Sequence, residues 1–148
     1  MGNENGKIDM RYTLFAGWKD ELILLARVLL MALFVISGWS KLTGFSGTVA
    51  YMDTLGLPLP TLSAIIAIVI EFVFGIALAL GVYARPLAIL FALYALATAF
   101  IGHQYWRMTG AEHIANMNNF YKNVSIAGGF LLLSATGAGK YSIDRDRA

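Results

Sequence analysis

The chain alternates long apolar runs with shorter polar connections, and the runs have the length of membrane-spanning helices. The apolar runs lie at about residues 22–39, 61–83, 87–103 and 119–138. A helix rises about 1.5 Å per residue, so roughly 20 residues cross the ~30 Å hydrocarbon core of a bilayer. The pattern therefore predicts a bundle of four transmembrane helices that occupies residues 22–139.

The polar stretches predict tails and connections around this bundle. Residues 1–21 are polar, lack the apolar core of a cleavable signal peptide, and include a short amphipathic stretch near Tyr12–Trp18. Residues 42–60 end in a Gly/Pro cluster, which predicts a loop or a half-buried re-entrant segment. Residues 108–119 predict a short helix outside the bilayer, and residues 140–148 predict a charged C-terminal tail.

Composition supports an all-α integral membrane protein. Of the 148 residues, 58% are hydrophobic and only 14% are charged, whereas a soluble domain carries about a quarter charged residues. The chain has no cysteine, which excludes disulfides, a dithiol redox centre and thiolate-bound iron–sulfur clusters. A net charge of +2 gives no indication of nucleic-acid binding. The lipid bilayer is therefore the first partner that the sequence predicts.

The distribution of basic residues predicts the orientation. With four spans, both termini lie on one side of the membrane. That side receives most of the basic residues outside the spans, namely Lys7, Arg11, Lys19, Arg85, Lys140, Arg145 and Arg147. Because cytoplasmic loops carry an excess of Lys and Arg, we expect both termini to be cytoplasmic.

Small residues recur at helical spacing in two of the predicted spans. Such ridges allow close helix packing, so we expect them to be packing surfaces. The two ridges are Ala67, Glu71, Gly75 and Ala79, and Ala88, Ala92, Ala95 and Ala99.

Ionisable residues inside the apolar runs mark the interior of the bundle. A charge in hydrocarbon costs about 2.5–3.5 kcal/mol, so it usually faces a partner or a wet cavity. Arg27 lies roughly 8–10 Å inside its span and Glu71 lies near the midplane, within reach of an extended arginine. We therefore expect an Arg27–Glu71 pair. This pair either only locks two spans together or forms part of a functional site.

A second polar group is predicted near the opposite boundary. His103, Lys122 and Asn123 lie at similar depth, and together with Glu71 they predict a polar pocket between spans. Arg27 and Lys122 against one carboxylate leave a positive charge uncompensated, which suits an anion or a quinone oxygen. Glu71 is the candidate catalytic residue, since a buried carboxylate suits proton exchange. The alternative for Lys122 is snorkelling towards the headgroups, and the histidine spacing matches no metal-ligand motif.

The chain also resembles the DoxX family of small four-helix bacterial inner-membrane proteins, from about Glu21 to Arg145. The order and spacing of several short motifs carry the resemblance. They are Arg27…Phe34…Ser37-Gly38…Lys41-Leu42, Glu71…Gly75…Leu80-Gly81…Arg85-Pro86, Ala97–His103 (ATAFIGH), Tyr121-Lys122-Asn123…Gly128-Gly129 and Gly137-Ala138-Gly139…Ser142-Ile143-Asp144.

The resemblance implies a location in the bacterial inner membrane and leaves the activity open. Related chains look like membrane subunits of quinone-linked oxidoreductases or accompany stress responses, so the first hypothesis is a quinone-linked redox subunit that acts with a redox partner protein. A second hypothesis is a proton-coupled carrier of a small anion or organic molecule, which requires a homo-oligomer. A third is a non-catalytic assembly or scaffold subunit. The four-helix fold by itself does not favour any of these three functions.

Overall fold

The computed structural model describes residues 15–144, which form helices joined by short turns and include no strand. Two 3₁₀ turns, Ala16–Trp18 and Tyr105–Arg107, precede the first helix and follow the fourth. The predicted N-terminal tail up to residue 14, with much of its amphipathic stretch, and residues 145–148 lie outside the described residues. The longer helices are α1 (Lys19–Thr43), α2 (Phe45–Thr54), α3 (Pro60–Leu80), α4 (Ala84–Gly102) and α5 (Gly110–Thr136).

Three helical segments of the described chain are long and apolar enough to cross a membrane. They are Lys19–Thr43, Pro60–Leu80 and Ala84–Arg107. The helix α5 has 27 residues, but its first half carries polar residues such as Glu112 and Asn116 and is less apolar. The all-helical membrane fold is confirmed for residues 15–144, and the fourth crossing stays a prediction.

Two parts of the structure differ from the sequence-based expectation. The expected loop at residues 42–60 contains α2, and the expected short outer helix is continuous with the last span in α5. Glycine, threonine and valine lower the intrinsic helix propensity of α2. Its helix is held instead by packing, because Met52 lies buried against Ala64 and Ala67 of α3.

The outer surface of the bundle is apolar. Large aliphatic side chains are more exposed than buried on the outward faces of all the long helices, where water would disfavour them. Examples are Leu29, Ile36, Val73, Leu93 and Leu132. This surface is suited to contact with lipid.

Aromatic rings from three helices form the centre of the core. The ring centroid of Phe34 in α1 lies 5.1 Å from that of Phe91 in α4 and 5.5 Å from that of Phe130 in α5. The rings of Phe91 and Phe130 are 5.2 Å apart. Leu78 of α3 is fully buried in the same cluster. These contacts tie α1, α3, α4 and α5 into one bundle.

The predicted small-residue faces are confirmed as packing surfaces. The alanine face of α4 is almost completely buried, and α4 packs more extensively against α5 than any other pair of helices does. In α3 the buried ridge includes Ala67, Glu71 and Gly75. The buried alanines of α4 are Ala88, Ala92, Ala95 and Ala99.

The closest approach of α1 to α3 occurs at Gly38. A methyl group at this position would lie 2.7 Å from the backbone nitrogen of Phe72 and 2.9 Å from its Cβ. We expect Gly38→Ala to force the helices apart and to destabilise the protein by about 1–2 kcal/mol, after the gain in helix propensity is subtracted. Thermal unfolding in detergent measures this loss.

Gly128 of α5 offers the matched control for Gly38. It is also helical, but a methyl group there meets no atom within 4 Å. Gly128→Ala should leave stability unchanged or raise it by up to about 1 kcal/mol. Equal losses at the two glycines would contradict the close packing of α1 on α3.

Candidate functional site

A cavity of about 410 Å³ lies among the five helices. Its size falls in the range of small-molecule sites, which are mostly apolar with a few polar groups. The apolar walls include Leu33, Phe34, Met52, Leu55, Leu57, Ile66, Ala67, Ala97 and Ile101. Most of the polar lining falls into two groups, which we call the Glu71 cluster (Ser37, Lys41, Glu71 and Tyr94) and the His103 cluster (Thr98, His103, Lys122 and Asn123), and Tyr51 and Ser63 complete it.

The Glu71 carboxylate is buried and fully partnered. Its Oε2 lies 2.7 Å from Nζ of Lys41, and its Oε1 accepts a hydrogen bond of 2.6 Å from the Tyr94 hydroxyl. The Lys41 ammonium also donates to Oγ of Ser37 at 2.5 Å. The side chain of Glu71 is 7% exposed and that of Lys41 is 24% exposed. The ion pair therefore lies at the wall of the cavity rather than in open solvent.

A local distortion of α3 carries Glu71. Residues Val69–Phe74 form a π-helical turn between two α-helical segments, Pro60–Ile68 and Gly75–Leu80. In a π turn each N–H reaches back five residues, and such turns occur frequently at functional sites. The absence of a side chain at Gly38 allows α1 to approach this turn. The distortion and the close approach together place Glu71 beside α1.

Lys41 is a site residue that the sequence analysis missed, since it was placed outside the first span. The structure extends α1 to Thr43. Arg27, Met31, Phe34 and Gly38 form its buried stripe, with a heptad-like 4-3-4 spacing, and Lys41 occupies the next position of the stripe. That periodicity is the signal in the sequence that predicts an inward-facing lysine. Tyr94 had no comparable signal among the apolar residues of α4.

The predicted Arg27–Glu71 pair is wrong. Arg27 is 1% exposed, yet its guanidinium faces backbone carbonyl oxygens instead of a carboxylate. Nε donates to the carbonyl of Ala79 at 2.9 Å, and the two terminal nitrogens donate to those of Ala138 at 2.5 Å and Tyr141 at 2.6 Å. Arg27 does not line the cavity. Its role in this structure is to join α1, α3 and the segment after α5.

The register of α1 against α3 explains this error. Arg27 is level with Ala79, which follows Glu71 by about two turns, or roughly 12 Å along the axis. That gap exceeds the reach of an arginine side chain. Estimates of depth from the span ends placed Glu71 within reach of an extended Arg27 side chain, but they did not determine which residues of neighbouring helices face each other. Lys41 lies at the level of Glu71 instead.

The structure brings the other predicted site residues to the same cavity. Glu71, His103, Lys122 and Asn123 all line it, so only Arg27 of the predicted set lies elsewhere. His103 follows the last residue of α4, where its Nδ1 lies 3.1 Å from Oδ1 of Asn116 in α5. Their grouping in one cavity is a structural fact, and their role in binding is a proposal.

Lys122 and Asn123 differ in their surroundings. Lys122 is exposed and donates to Oδ1 of Asn119 at 2.8 Å, a contact that points along α5 towards its start. Asn123 is half-buried and donates from Nδ2 to Oγ1 of Thr98 at 3.3 Å. The lysine thus lies at the mouth of the cavity, whereas the asparagine lies against α4.

The remaining histidine lies apart from the cavity lining. Nδ1 of His113 lies 2.9 Å from the carbonyl oxygen of Tyr105. Residues 15–144 contain no group of three or more His, Asp or Glu side chains arranged to hold a metal ion.

The segment after α5 folds back on the bundle; we call Gly137–Asp144 the C-terminal strap. The backbone nitrogen of Ile143 donates to the carbonyl of Leu80 at 3.1 Å, and that of Asp144 donates to the carbonyl of Gly81 at 3.4 Å. The predicted tail at residues 140–148 therefore packs against the end of α3 for as far as the structure describes it.

An ion pair at the surface also holds the strap. Nζ of Lys140 lies 3.1 Å from Oε1 of Glu21, and the backbone nitrogen of Lys140 donates to Oδ1 of Asp20 at 3.0 Å. The hydrogen bond to Glu21 raises the pKa of Lys140 above its usual value. This exposed contact supplements the buried bonds of Arg27.

An apolar exterior, three candidate membrane spans and charged side chains turned inward around a cavity define a helical membrane protein with a polar interior. The family model DoxX matches residues 22–104, more than half of the chain. The chain belongs to the DoxX family, which confirms the resemblance carried by its motifs.

Two relatives cover nearly the full length of the chain. It is 52% identical over 136 residues to the inner membrane protein YphA of Escherichia coli (strain K12), with 92% of this chain and 97% of that protein covered. It is 42% identical over 130 residues to the inner membrane protein YqjF of the same organism, with 86% and 92% covered. No solved structure matches the chain.

Proposed function

We propose that this DoxX-family protein is a multi-pass inner-membrane subunit that binds the ring of a quinone in its cavity. The observation that carries this proposal is an apolar cavity of about 410 Å³ with two separate polar groups in its wall. Such a site accommodates a flat apolar ring, and its polar groups fix the ring by hydrogen bonds. A quinone dissolves in the bilayer and presents an oxygen on each side of its ring.

The two clusters have a spacing that fits this ligand. Tyr94 of the Glu71 cluster and His103 of the His103 cluster are nine residues apart along α4, which separates their levels by roughly 13 Å. A six-membered ring with an oxygen at each side and a hydrogen bond beyond each oxygen spans about 11 Å, which this separation accommodates. Each oxygen would therefore face one polar cluster.

The Glu71 cluster supplies a donor and a proton acceptor. The Lys41 ammonium has three hydrogens, and two of them serve Ser37 and Glu71. The third is available to a ligand oxygen. Oxidation of a quinol releases two protons: Glu71 beside Lys41 would accept one and His103 at the other end of the cavity the second, and both would be returned when the quinone is reduced. A redox partner protein exchanges the electrons, so the chain acts as an oxidoreductase subunit.

The proposed topology has four crossings and both termini in the cytoplasm. The helix α5 is about 40 Å long, enough to span the hydrocarbon core. It runs antiparallel to α4, because Arg85 at the start of α4 donates to the carbonyls of Ser134 and Ala135 at the end of α5. Packing against α4 gives the polar residues of α5 partners inside the bundle, as Asn123 illustrates.

Binding of a quinone to the purified protein tests this function. A short-tailed ubiquinone added to the protein in detergent should raise its Tm by several degrees at saturation, since a ligand stabilises the folded state that binds it. Ala97→Phe should abolish the shift, because Ala97 lines the cavity and the added ring occupies the ligand's place.

Ala32 provides the matched control for this test. It lies exposed on α1 and does not line the cavity, so Ala32→Phe adds the same ring on the lipid-facing side. This variant should keep the shift in Tm. No shift in the unaltered protein, or equal shifts in the two variants, would reject quinone binding at this cavity.

A second candidate is a non-catalytic assembly subunit. The observation that favours it is internal pairing: both oxygens of Glu71 have partners, and all three bonds of Arg27 go to backbone carbonyls. Charges satisfied in this way suit a scaffold. Under this alternative, Ala97→Phe leaves partner assembly intact, while quinone has no effect on Tm.

A further inference from the structure

The hydrogen bonds around His103 determine which of its nitrogens can accept. Nδ1 of His103 faces Oδ1 of Asn116 at 3.1 Å. An amide oxygen only accepts hydrogen bonds, so Nδ1 must carry the hydrogen. In the neutral imidazole this leaves Nε2 with a lone pair. His103 therefore contributes an acceptor to the cavity that it lines.

The orientation of the Asn116 amide follows from a second bond. Its Nδ2 donates to the backbone carbonyl of Glu112 at 3.0 Å. A carbonyl cannot donate, so the amide nitrogen must be on that side and Oδ1 must face His103. Asn116 is thus held by its own helix α5 in the one orientation that fixes the tautomer of His103.

Asn123 adds a second acceptor by similar reasoning. The hydroxyl of Thr98 donates its hydrogen to the carbonyl of Ala95 at 3.0 Å. Its oxygen must then accept from Nδ2 of Asn123, at 3.3 Å. This leaves Oδ1 of Asn123 as the atom with free acceptor capacity. The His103 cluster therefore combines two acceptors, Nε2 of His103 and Oδ1 of Asn123, with the second hydrogen of the Asn123 amide.

From this arrangement we infer that the His103 cluster recognises a ligand hydroxyl, so the cavity prefers the reduced quinol to the oxidised quinone. The inference rests on the proposed quinone site and specifies which form of the ligand it holds. A hydroxyl donates to Nε2 of His103 or to Oδ1 of Asn123. A quinone carbonyl can accept from the second amide hydrogen of Asn123, but it brings another lone pair towards Nε2 of His103 and gains no bond there. His103 is the binding residue, and Asn116 is its positioning residue.

Lys122 does not reverse this preference. Its ammonium lines the same part of the cavity and donates to Asn119, and it can donate to the oxygen of either ligand form. Both ligand forms can accept from Lys122, from the Asn123 amide or from the hydroxyl of Tyr51, which also lines the cavity, whereas only the hydroxyl form donates to His103. The other charged residues near this end of α4 and α5 are Arg107 and Glu112. Both are exposed at the surface and neither lines the cavity.

The most informative probe is a ligand that keeps the shape of the quinol but lacks its hydroxyl hydrogens. We would compare a short-tailed ubiquinol, the matching ubiquinone and the dimethyl ether of the quinol, under anaerobic conditions and at mildly alkaline pH. The quinol should bind about tenfold more tightly than the other two, the effect of one well-formed hydrogen bond. The ether isolates hydrogen-bond donation from the redox state of the ring.

Variants of the positioning residue complete the test. Asn116→Leu should reduce the quinol-to-ether ratio of affinities towards one, while Asn116→Asp, which still accepts from Nδ1, should retain it. Equal binding of all three compounds to the unaltered protein overturns this inference alone and leaves quinone binding in place. Failure of all three to bind overturns both proposals. The ligand comparison stands even where a variant does not fold.

Discussion

Replacing Arg27 with alanine should destabilise the protein more than any other single substitution in α1. The change removes a buried guanidinium and leaves the carbonyls of Ala79, Ala138 and Tyr141 without their donor. An unsatisfied buried acceptor costs about 1–3 kcal/mol, so we expect a loss of at least about 3 kcal/mol in total. The Tm in detergent should fall by roughly 10 °C.

Release of the C-terminal strap provides a second measurement of the same change. The chain has no cysteine, so a Ser142→Cys background reports only on the strap. Ser142 is half-buried, and its thiol should react faster when Arg27 is alanine. Arg107→Ala is the control, because this arginine is exposed and its loss should cost less than about 0.5 kcal/mol. Equal Tm values for the two variants would contradict the role assigned to Arg27.

Breaking the ion pair of the Glu71 cluster should produce the second large effect. Lys41→Met leaves the Glu71 carboxylate with only the Tyr94 hydroxyl, and Glu71→Gln leaves the Lys41 ammonium without a counter-charge. Each change is expected to cost about 3 kcal/mol, since removal of one partner strands the other charge. The double variant should lose about 1–3 kcal/mol less than the sum of the two.

A parallel double-mutant cycle serves as the control. Arg27→Met combined with Glu71→Gln should be additive, because about 12 Å along α3 separates the two contacts and they share no partner. Coupling in the Arg27 cycle, together with additivity in the Lys41 cycle, would restore the pairing that the sequence alone predicted.

Hydropathy and helical periodicity predicted much of the bundle. The apolar runs correspond to α1, α3 and α4, and the alanine spacing identified the buried face of α4. The helix α2 was missed because its stability comes from Met52 packing on α3 rather than from its own propensity. The continuity of α5 was missed because polar residues at its start resemble a connection.

The sequence predicted which residues belong to the candidate site better than it predicted which of them contact each other. Apolar surroundings single out ionisable residues, and four of the predicted five line one cavity. Which of them meet depends on the register between helices, and that register depends on the glycine contact at Gly38 and on the π turn around Glu71. Hydropathy and periodicity along the sequence do not specify the register between two helices, so Lys41 was overlooked as the partner of Glu71.

The bonds of Arg27 also set an order for biogenesis. Two of its acceptors, Ala138 and Tyr141, are synthesised 111 and 114 residues after it. When α1 enters the membrane, the guanidinium has none of its final partners; Ala79 follows after 52 residues, and the other two follow only when nearly the whole membrane domain has been translated. Until then α1 remains a costly segment in lipid. In a polypeptide interrupted before the strap, both terminal nitrogens of this guanidinium therefore lack their acceptors, which distinguishes unfinished chains from finished ones.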